Sequence, residues 1–387
     1  MAGNDQKFMD TVNTQLLPAF EKKYPKIDLQ ITFVPWETLS VKLATAFAGG
    51  MAPDVFMHGA AATAGFAATG RVEPLDSLIA KMPDARDFGS TLEQGNYYGK
   101  HYMIPVFGAG RLLMYRADEF KEAGLNPDEP PATWEEFRNA AIKLAIRRGN
   151  QIVREGIDLP TSGIDAQQIF ACFLWQAGGS FFNRDYTRVT FNDAHGVEAL
   201  QFLANLIQKD KVADTSINLG QGNVPPIATN QVAMLFAVPG DVAQVKTYAP
   251  GIYKEIRVAP PLKNKEQWTF YSFSGMFMSK TSKHKEDAWK VMEFFSSPEA
   301  LEKINASMGT LPPRRSLAKA PAFASDPNIR AFVESMQYAR GNPNIAQWVQ
   351  IRDILSRYLE QALYGRMTPK AALDQAAKEA DALLSNR

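Results

Sequence analysis

The chain has 387 residues, more than one ordinary domain holds, so two or three domains or one large barrel are expected. Lys and Arg total 42 against 41 Asp and Glu, and this balance leaves no basic excess for a nucleic-acid partner. With 45% hydrophobic and 21% charged residues the composition is globular, and the longest apolar runs are far shorter than a membrane span.

Cys172 is the one cysteine, which excludes an intramolecular disulfide and a cysteine-rich zinc site. It stands between Phe170 and Phe173 in an apolar stretch, so we expect a small buried hydrophobe. A single cysteine suits both a reducing cytosol and an exported protein. No apolar leader follows Met1, as is also the case for a mature exported chain.

Helical and extended patterns alternate in the first third of the chain. Apolar residues at every fourth position predict a helix over residues 8–20, which Pro18 must kink or interrupt. Alternating apolar residues predict a half-buried strand over 28–34. A helix over 38–47 and a short buried strand over 53–57 follow. This alternation is typical of a doubly wound α/β sheet.

Helix start signals recur in the rest of the chain. Thr133 and Glu136 form a capping box, which predicts a helix from there to about Arg148. The other predicted helices are one over 196–209 capped by Asp193, one starting at Ser297-Pro298, one over 345–364, and one over 369–384 starting at Thr368-Pro369.

No catalytic motif is visible in the sequence. There is no P-loop and no G-x-S-x-G elbow, and both Gly-x-Gly runs lack the third glycine of a dinucleotide fingerprint. The four histidines form neither HExxH nor a close pair, so we expect no metal ion, no cofactor and no enzyme. Because two carboxylates far apart in sequence can cleave a glycosidic bond, a glycan-active enzyme stays an alternative.

A series of short segments follows one order along nearly the whole chain. They are PAFEKKYP at 18–25, KLATAFAGG at 42–50 with PDV at 53–55, YGKHYMIP at 98–105, LMY at 113–115, EAGL at 122–125, PATWEEF at 131–137, QAGG at 176–179, QVAM at 231–234, SKTSKHKEDAW at 279–289 and GTLPPR at 309–314. Each is weak alone, but their joint order and spacing are specific. Through them the chain resembles the extracellular solute-binding proteins of ATP-driven (ABC) importers, in the carbohydrate-binding group (family 1) that includes maltose-binding protein.

This resemblance implies a type II periplasmic-binding-protein fold, an α/β architecture of two interleaved lobes joined by about three crossings, with the ligand in the cleft. The residue pattern alone would predict two consecutive domains. Transferred to this chain, the lobes are 1–109 plus 264–312 and 110–260 plus 315–387, with hinges near 107–111, 258–266 and 309–315.

Candidate ligand contacts follow from the fold class and the resemblance. Ligands of open α/β sheets bind beyond the carboxyl ends of strands, aromatic rings pack on the C–H faces of sugars, and planar polar side chains meet their hydroxyls. Family members usually open with an apolar strand and a ligand-contacting loop, and this chain begins almost at that loop. The candidates are Asn4, Asp5, Trp36, His58, Gly59, Phe107, Ala109, Arg111, Gln167, Gln168, Trp175, Gly240, Asp241, Phe273, Ser274, Arg314 and Trp348.

Each kind of candidate also has a purely structural interpretation. The alternatives are core packing for the aromatic residues, a solvated loop for His58, a surface ion pair for Arg111, a cap on a helix over 241–248 for Asp241, and a hinge anchor for Arg314.

The resemblance further implies a monomeric, non-enzymatic binding protein of the venus-flytrap type. It would capture a mono- or oligosaccharide by cleft closure and deliver it to two transmembrane permease subunits. Its place would be periplasmic or extracellular, with the signal peptide removed and with a lipoprotein anchor as an option. Arg111 and Arg314 keep a polyol phosphate or another small anion open as the ligand. A sensory receptor subunit is an alternative role.

Overall fold

Helices and short strands alternate through the computed structural model, which describes residues 1–3, 5–149, 151–214 and 224–385. The α-helices are α1 (Gln6–Thr11), α2 (Leu17–Lys23), α3 (Trp36–Ala48), α4 (Thr63–Ala68), α5 (Asp76–Ile79), α6 (Ala117–Glu122), α7 (Trp134–Leu144), α8 (Gly163–Gln176), α9 (Ala194–Gln208), α10 (Pro239–Tyr248), α11 (Pro250–Tyr253), α12 (Lys285–Phe295), α13 (Pro298–Met308), α14 (Pro321–Ala324), α15 (Pro327–Ser335), α16 (Trp348–Leu363) and α17 (Pro369–Ser385).

The strands are short, and most belong to small sheets. They are β1 (Val55–Gly59), β2 (Asn96–Tyr97), β3 (Lys100–His101), β4 (Ile104–Gly110), β5 (Leu112–Arg116), β6 (Ile146–Arg148), β7 (Gln151–Arg154), β8 (Met234–Ala237), β9 (Ile256–Val258), β10 (Thr269–Met278) and β11 (Ala339–Arg340).

The chain divides into two units, each assembled from three separate segments. Unit 1 comprises Met1–Ala109, Ser272–Asp326 and Gly341–Trp348, and unit 2 comprises Gly110–Tyr271, Pro327–Arg340 and Val349–Arg387. The first boundary falls within the 107–111 range. The next falls after Tyr271, beyond the 258–266 range. That boundary lies inside the continuous strand β10, where neither glycine nor proline marks a change of unit.

Unit 1 is built on the later part of β10. That part pairs antiparallel with β1, from Val55 opposite Met278 to Gly59 opposite Ser274, and β4 also pairs with β10. Gly275 permits the approach of β4, because a Cβ added there would lie 2.2 Å from the carbonyl oxygen of Ile104. The ladder therefore depends on a residue without a side chain.

Unit 2 is organised around a three-stranded antiparallel sheet of order β8–β5–β9. Helices α8 and α9 pack together through Phe173 and Phe202, whose rings stack 5.5 Å apart. Trp134 of α7 joins them, with its ring 4.7 Å from that of Phe202. Cys172 is buried as expected, and its Sγ accepts a hydrogen bond from the Phe270 N–H at 3.3 Å.

Several local predictions are confirmed. Pro18 interrupts the first helix through a π-helical turn over Val12–Leu16, since its ring and missing N–H disturb the regular pattern. The capping box of Thr133 and Glu136 is present at the start of α7. Asp193 caps α9 by accepting from two backbone N–H groups, and Thr368 caps α17.

Other local predictions are wrong. Helix α7 ends at Leu144 rather than near Arg148, because residues 146–148 pair with β7 in a hairpin whose turn includes Gly149 at φ 61°. No strand forms over 28–34. Within the described residues its pairing is a single bridge between Val34 and Ala2, and an extended segment needs a longer neighbour to form a ladder. Helix α16 begins at Trp348 rather than at residue 345.

Gly275→Ala should destabilise unit 1 by about 2–4 kcal/mol, because the added Cβ forces β4 and β10 apart. Thermal unfolding followed by circular dichroism measures this change. Gly251→Ala is the matched control, since no heavy atom lies within 4 Å of its added Cβ. Equal shifts in the two variants would contradict the close-packing argument.

Candidate functional site

Three predicted contacts come together in unit 1 as a ring cluster of Trp36, His58 and Phe107. Trp36 begins α3, His58 lies near the end of β1, and Phe107 lies in β4. The Trp36 ring centroid is 6.1 Å from that of Phe107 and 6.4 Å from that of His58, with both partners nearly perpendicular to it. Trp36 is 39% exposed and Phe107 only 7% exposed. In this cluster the Trp36 indole is therefore exposed to solvent and packs against the buried ring of Phe107.

Two serine hydroxyls lie close to residues at the end of β1. His58 Nε2 lies 3.0 Å from Ser40 Oγ, which fixes the imidazole ring beside Trp36. Gly59 and Ser274 are opposite one another in the β1–β10 ladder. Ser274 Oγ would lie 3.8 Å from a Cβ at position 59, so the absence of a side chain there leaves the hydroxyl uncovered on that side.

A second group of predicted contacts lines a cavity of about 460 Å³ in unit 2. Its apolar wall includes Leu235 and Phe236 of β8. Its polar lining residues are Arg111, Asp158, Asp165, Asp241 and Gln244. The cavity thus combines an apolar wall with several hydrogen-bonding side chains, as small-molecule sites in proteins commonly do.

The guanidinium of Arg111 is held at the cavity wall by three acceptors. Nε donates to Gln168 Oε1 at 2.9 Å, Nη1 donates to the Phe236 carbonyl at 3.3 Å, and Nη2 pairs with Asp165. Asp165 and Gln168 are three residues apart in α8 and so share one helix face, which lets both reach the same cation. Only 11% of the Arg111 side chain is exposed.

Two further carboxylates, those of Asp158 and Asp241, line the cavity, and nearby positive charge balances their negative charge only in part. Burial, together with the charges of Asp241 and Asp165, raises the pKa of Asp158 to about 6 against the lowering effect of Arg111. Burial also raises the pKa of Asp241. Asp241 accepts the Val238 N–H at 2.8 Å, so it caps α10 while its carboxylate lines the cavity. Both interpretations of Asp241 thus have a structural basis.

Three predicted aromatic contacts lie in hydrophobic cores. Phe273 is 1% exposed and packs against Gly108 in unit 1, and Trp348 is fully buried. Trp175 of unit 2 stacks on Phe270 with the two rings nearly parallel. These side chains have packing roles in the structure, and direct ligand contact by them stays a prediction.

The remaining predicted polar contacts have varied surroundings. Asp5 caps α1 by accepting the Phe8 N–H at 2.9 Å. Arg314 is buried in unit 1, where it pairs with Asp84 and lies over the ring of Phe88. The Gln167 amide is buried without a hydrogen-bond partner among the described residues.

The other predicted positions are backbone sites. Ala109 lies in β4, and Gly240 lies in the first turn of α10. Asn4 lies outside the described residues.

Sequence reasoning missed Asp158, Asp165 and Gln244 as lining residues. Asp158 is brought to the cavity by a parallel bridge with Leu235, a long-range pairing that leaves no local mark. One signal was available, since ligands of open α/β sheets bind beyond the carboxyl ends of strands. Applied to residues 155–158, which follow the β6–β7 hairpin, this rule would have selected Asp158.

Within the described ranges, no group of three or more His, Cys, Asp or Glu side chains is arranged to hold a metal ion.

None of the helices in the described part of the chain has the length and apolar character needed to cross a membrane.

The family model for bacterial extracellular solute-binding proteins matches residues 4–302. The chain belongs to this family. Its mixed α/β fold matches that of a solved ABC transporter solute-binding protein from Thermotoga lettingae TMO bound with α-D-tagatose. The TM-score is 0.87 at 26% identity, with 99% of this chain and 98% of that chain covered.

Two curated relatives of the family are similar over most of the chain. A Brucella abortus (strain 2308) protein described as a binding protein is 27% identical over 367 residues, covering 95% of this chain and 88% of the relative. An sn-glycerol-3-phosphate-binding periplasmic protein of Yersinia enterocolitica is 24% identical over 364 residues, covering 88% of this chain and 81% of that protein.

The family assignment confirms the resemblance and the two-lobed solute-binding fold class predicted from the sequence. Members of an extracellular solute-binding family act in the periplasm or outside the cell, so this chain is placed there too. These relatives are described as binding proteins rather than as enzymes.

Buried carboxyls of unit 2 should make the protein less stable as the pH rises. Burial raises the pKa of Glu119 to about 7 and that of Glu155 to about 8. Between about pH 4.5 and pH 8 the folded chain therefore keeps protons that the unfolded chain has lost, and the free energy of unfolding falls across that range. Melting temperatures measured from pH 4.5 to 8.5 check this slope.

In Glu155→Gln the free energy of unfolding should fall less between about pH 4.5 and pH 8, by on the order of 2–4 kcal/mol. Glu129→Gln, at an exposed position of the same unit, is the control and should leave the slope unchanged. A wild-type melting temperature that rises steadily with pH would show the sign to be wrong.

Proposed function

We propose that this protein captures a sugar outside the cytoplasmic membrane and delivers it to the permease of an ABC importer. The observation that carries the proposal is the unit 2 cavity, where carboxylates, a guanidinium and the Gln244 amide stand beside the apolar wall of Leu235 and Phe236. A sugar ring has the matching surfaces, with hydroxyls around its edge and C–H groups on its faces.

The acceptors of the cavity suit hydroxyl groups in particular. A carboxylate accepts two hydroxyl hydrogens at once, and Asp158 accepts no hydrogen bond from any described residue. Arg111 is already oriented by Asp165 and Gln168, so little side-chain entropy is lost when a ligand arrives. Both features favour tight binding of an uncharged polyhydroxyl compound.

Unit 1 carries by itself an exposed aromatic surface, the indole of Trp36, of a kind that sugars pack on. Its near-perpendicular neighbours hold the ring in place while leaving it 39% exposed. Packing of a sugar C–H face on such a ring contributes about 0.5–1.5 kcal/mol beyond area burial. The Thermotoga lettingae protein bound with α-D-tagatose, whose fold this chain shares, supports the same ligand class.

The role in transport follows from family membership. A sugar that binds one conformation better than another shifts the population toward it, and we propose that the permease subunits recognise that conformation. We further propose that the protein acts as a venus-flytrap monomer without a cofactor. It would be a mature exported chain with its signal peptide removed, either free in the periplasm or held at the membrane as a lipoprotein.

Two other functions have specific observations in their favour. The relative from Yersinia enterocolitica binds sn-glycerol 3-phosphate, which keeps a polyol phosphate open as the ligand. Asp158, with a pKa of about 6, stands near other carboxylates, and glycosidases use such a combination as acid and base. A binding assay that includes a phosphate ester and also recovers the ligand distinguishes phosphate binding and glycoside hydrolysis from sugar capture.

A thermal-shift screen should show selective stabilisation by one class of sugar. At a ligand concentration about 100 times Kd the protein gains about 2.7 kcal/mol, equal to a few degrees in Tm. The panel contains mono- and oligosaccharides, with sn-glycerol 3-phosphate and amino acids as controls. Chromatography of the recovered ligand tests for turnover. A cleaved ligand would favour the enzyme, and a shift with the phosphate ester alone would refute sugar capture.

Trp36→Ala should raise the Kd of the sugar found in that screen about 10-fold, because the exposed ring surface is lost. Isothermal titration calorimetry gives the value. Tyr364→Ala is the control, since Tyr364 is also 39% exposed but belongs neither to the ring cluster nor to the lining of the cavity. Unchanged affinity in Trp36→Ala would remove the ring cluster from the binding surface.

A further inference from the structure

The unit 2 cavity carries more negative than positive charge. Three aspartates and one arginine are the ionisable side chains among the described residues that line it. When the aspartates are ionised their charges exceed that of Arg111 by two.

Protein groups already occupy the arginine of the described lining. Arg111 donates to Gln168 and to the Phe236 carbonyl, and it pairs with Asp165. An anionic ligand group would have to compete with a carboxylate for this guanidinium. Among the described lining residues no other cation is present to receive it.

Among the residues that the structure describes, neither of the two other carboxylates forms an ion pair of its own. Asp241 accepts one backbone N–H, and the Asp158 carboxylate accepts no hydrogen bond from a described residue. The pKa of Asp158 rises to about 6 partly because Asp241 and Asp165 are charged. The field that opposes ionisation of Asp158 also opposes the entry of any further negative charge.

We infer that the cavity discriminates by charge: it takes a sugar without a phosphate or carboxylate group, and Asp158 and Asp241 set this preference. The inference rests on the proposed function, and it names the ligand class of the same site. It separates this protein from the relative that binds sn-glycerol 3-phosphate, although the two chains are 24% identical over most of their length. Unpaired carboxylates reject anions by repulsion, which is a common basis of specificity.

The test compares neutral and anionic probes on the full chain at pH 7.5 by isothermal titration calorimetry. D-Tagatose is compared with D-tagatose 6-phosphate. D-Glucose is compared with D-glucose 6-phosphate and with D-glucuronate. A further anionic probe, sn-glycerol 3-phosphate, is tested without a neutral counterpart. The wild-type protein should bind the neutral member of a pair at least about 100-fold more tightly than the anionic member. Tight binding of any anionic probe to the wild-type protein would overturn the inference.

The double variant Asp158→Asn, Asp241→Asn gives the decisive comparison. It removes two negative charges with little change in shape, so it should gain measurable affinity for at least one anionic probe. The preference for a neutral sugar should fall below about 10-fold. Asp165 is left in place because it holds Arg111. Asp185→Asn, at an exposed position of unit 2 outside the cavity, is the control and should behave as the wild type does.

The outcomes separate the inference from the proposed function. If no neutral sugar binds but the double variant gains affinity for an anion, sugar capture fails while charge discrimination stands. If the double variant is correctly folded by circular dichroism and still binds no anion, Asp158 and Asp241 do not set the preference and the inference is refuted.

Discussion

One guanidinium holds the unit 2 cavity in shape. Arg111 links helix α8, through Asp165 and Gln168, to strand β8, through the Phe236 carbonyl. Because every partner of this cation is a protein group, the wall is fixed before a ligand arrives, and such preorganisation lowers the entropy lost on binding. Because Arg111 pairs with Asp165, it forms no ion pair with Asp158 or Asp241, and within the described lining these two carboxylates keep their negative charge uncompensated by an ion pair.

The two units contribute different chemistry. Unit 1 offers an exposed aromatic surface, the indole of Trp36 supported by Phe107 and His58. Unit 2 offers a polar cavity beside an apolar wall. Aromatic surfaces accept many sugars, whereas fixed carboxylates read the position and charge of individual groups.

Local sequence signals predicted local structure well and long-range pairing poorly. The capping box at Thr133 and the interruption at Pro18 were predictable, since each depends on neighbouring residues. The strand-end rule selected His58 as a candidate because it lies near the end of a strand that the sequence predicted, and its contact with a ligand stays a prediction. Asp158 was missed because its position depends on a bridge to Leu235, far along the chain. Trp348 shows why the sequence alone does not assign a role to an aromatic residue. A ring that can pack on a sugar can also pack in a hydrophobic core, where Trp348 lies.

The pairing of β1 with β10 affects how the chain folds as it is synthesised. In the described part of the chain Val55 pairs with Met278, and unit 1 is complete only when residues 341–348 have been made. A nascent chain therefore carries an unpaired β1 until most of unit 2 has emerged from the ribosome. Such late, non-local closure slows folding. Slow closure leaves β1 without its partner strand for longer, so the growing chain exposes an unpaired strand edge while unit 2 is being made.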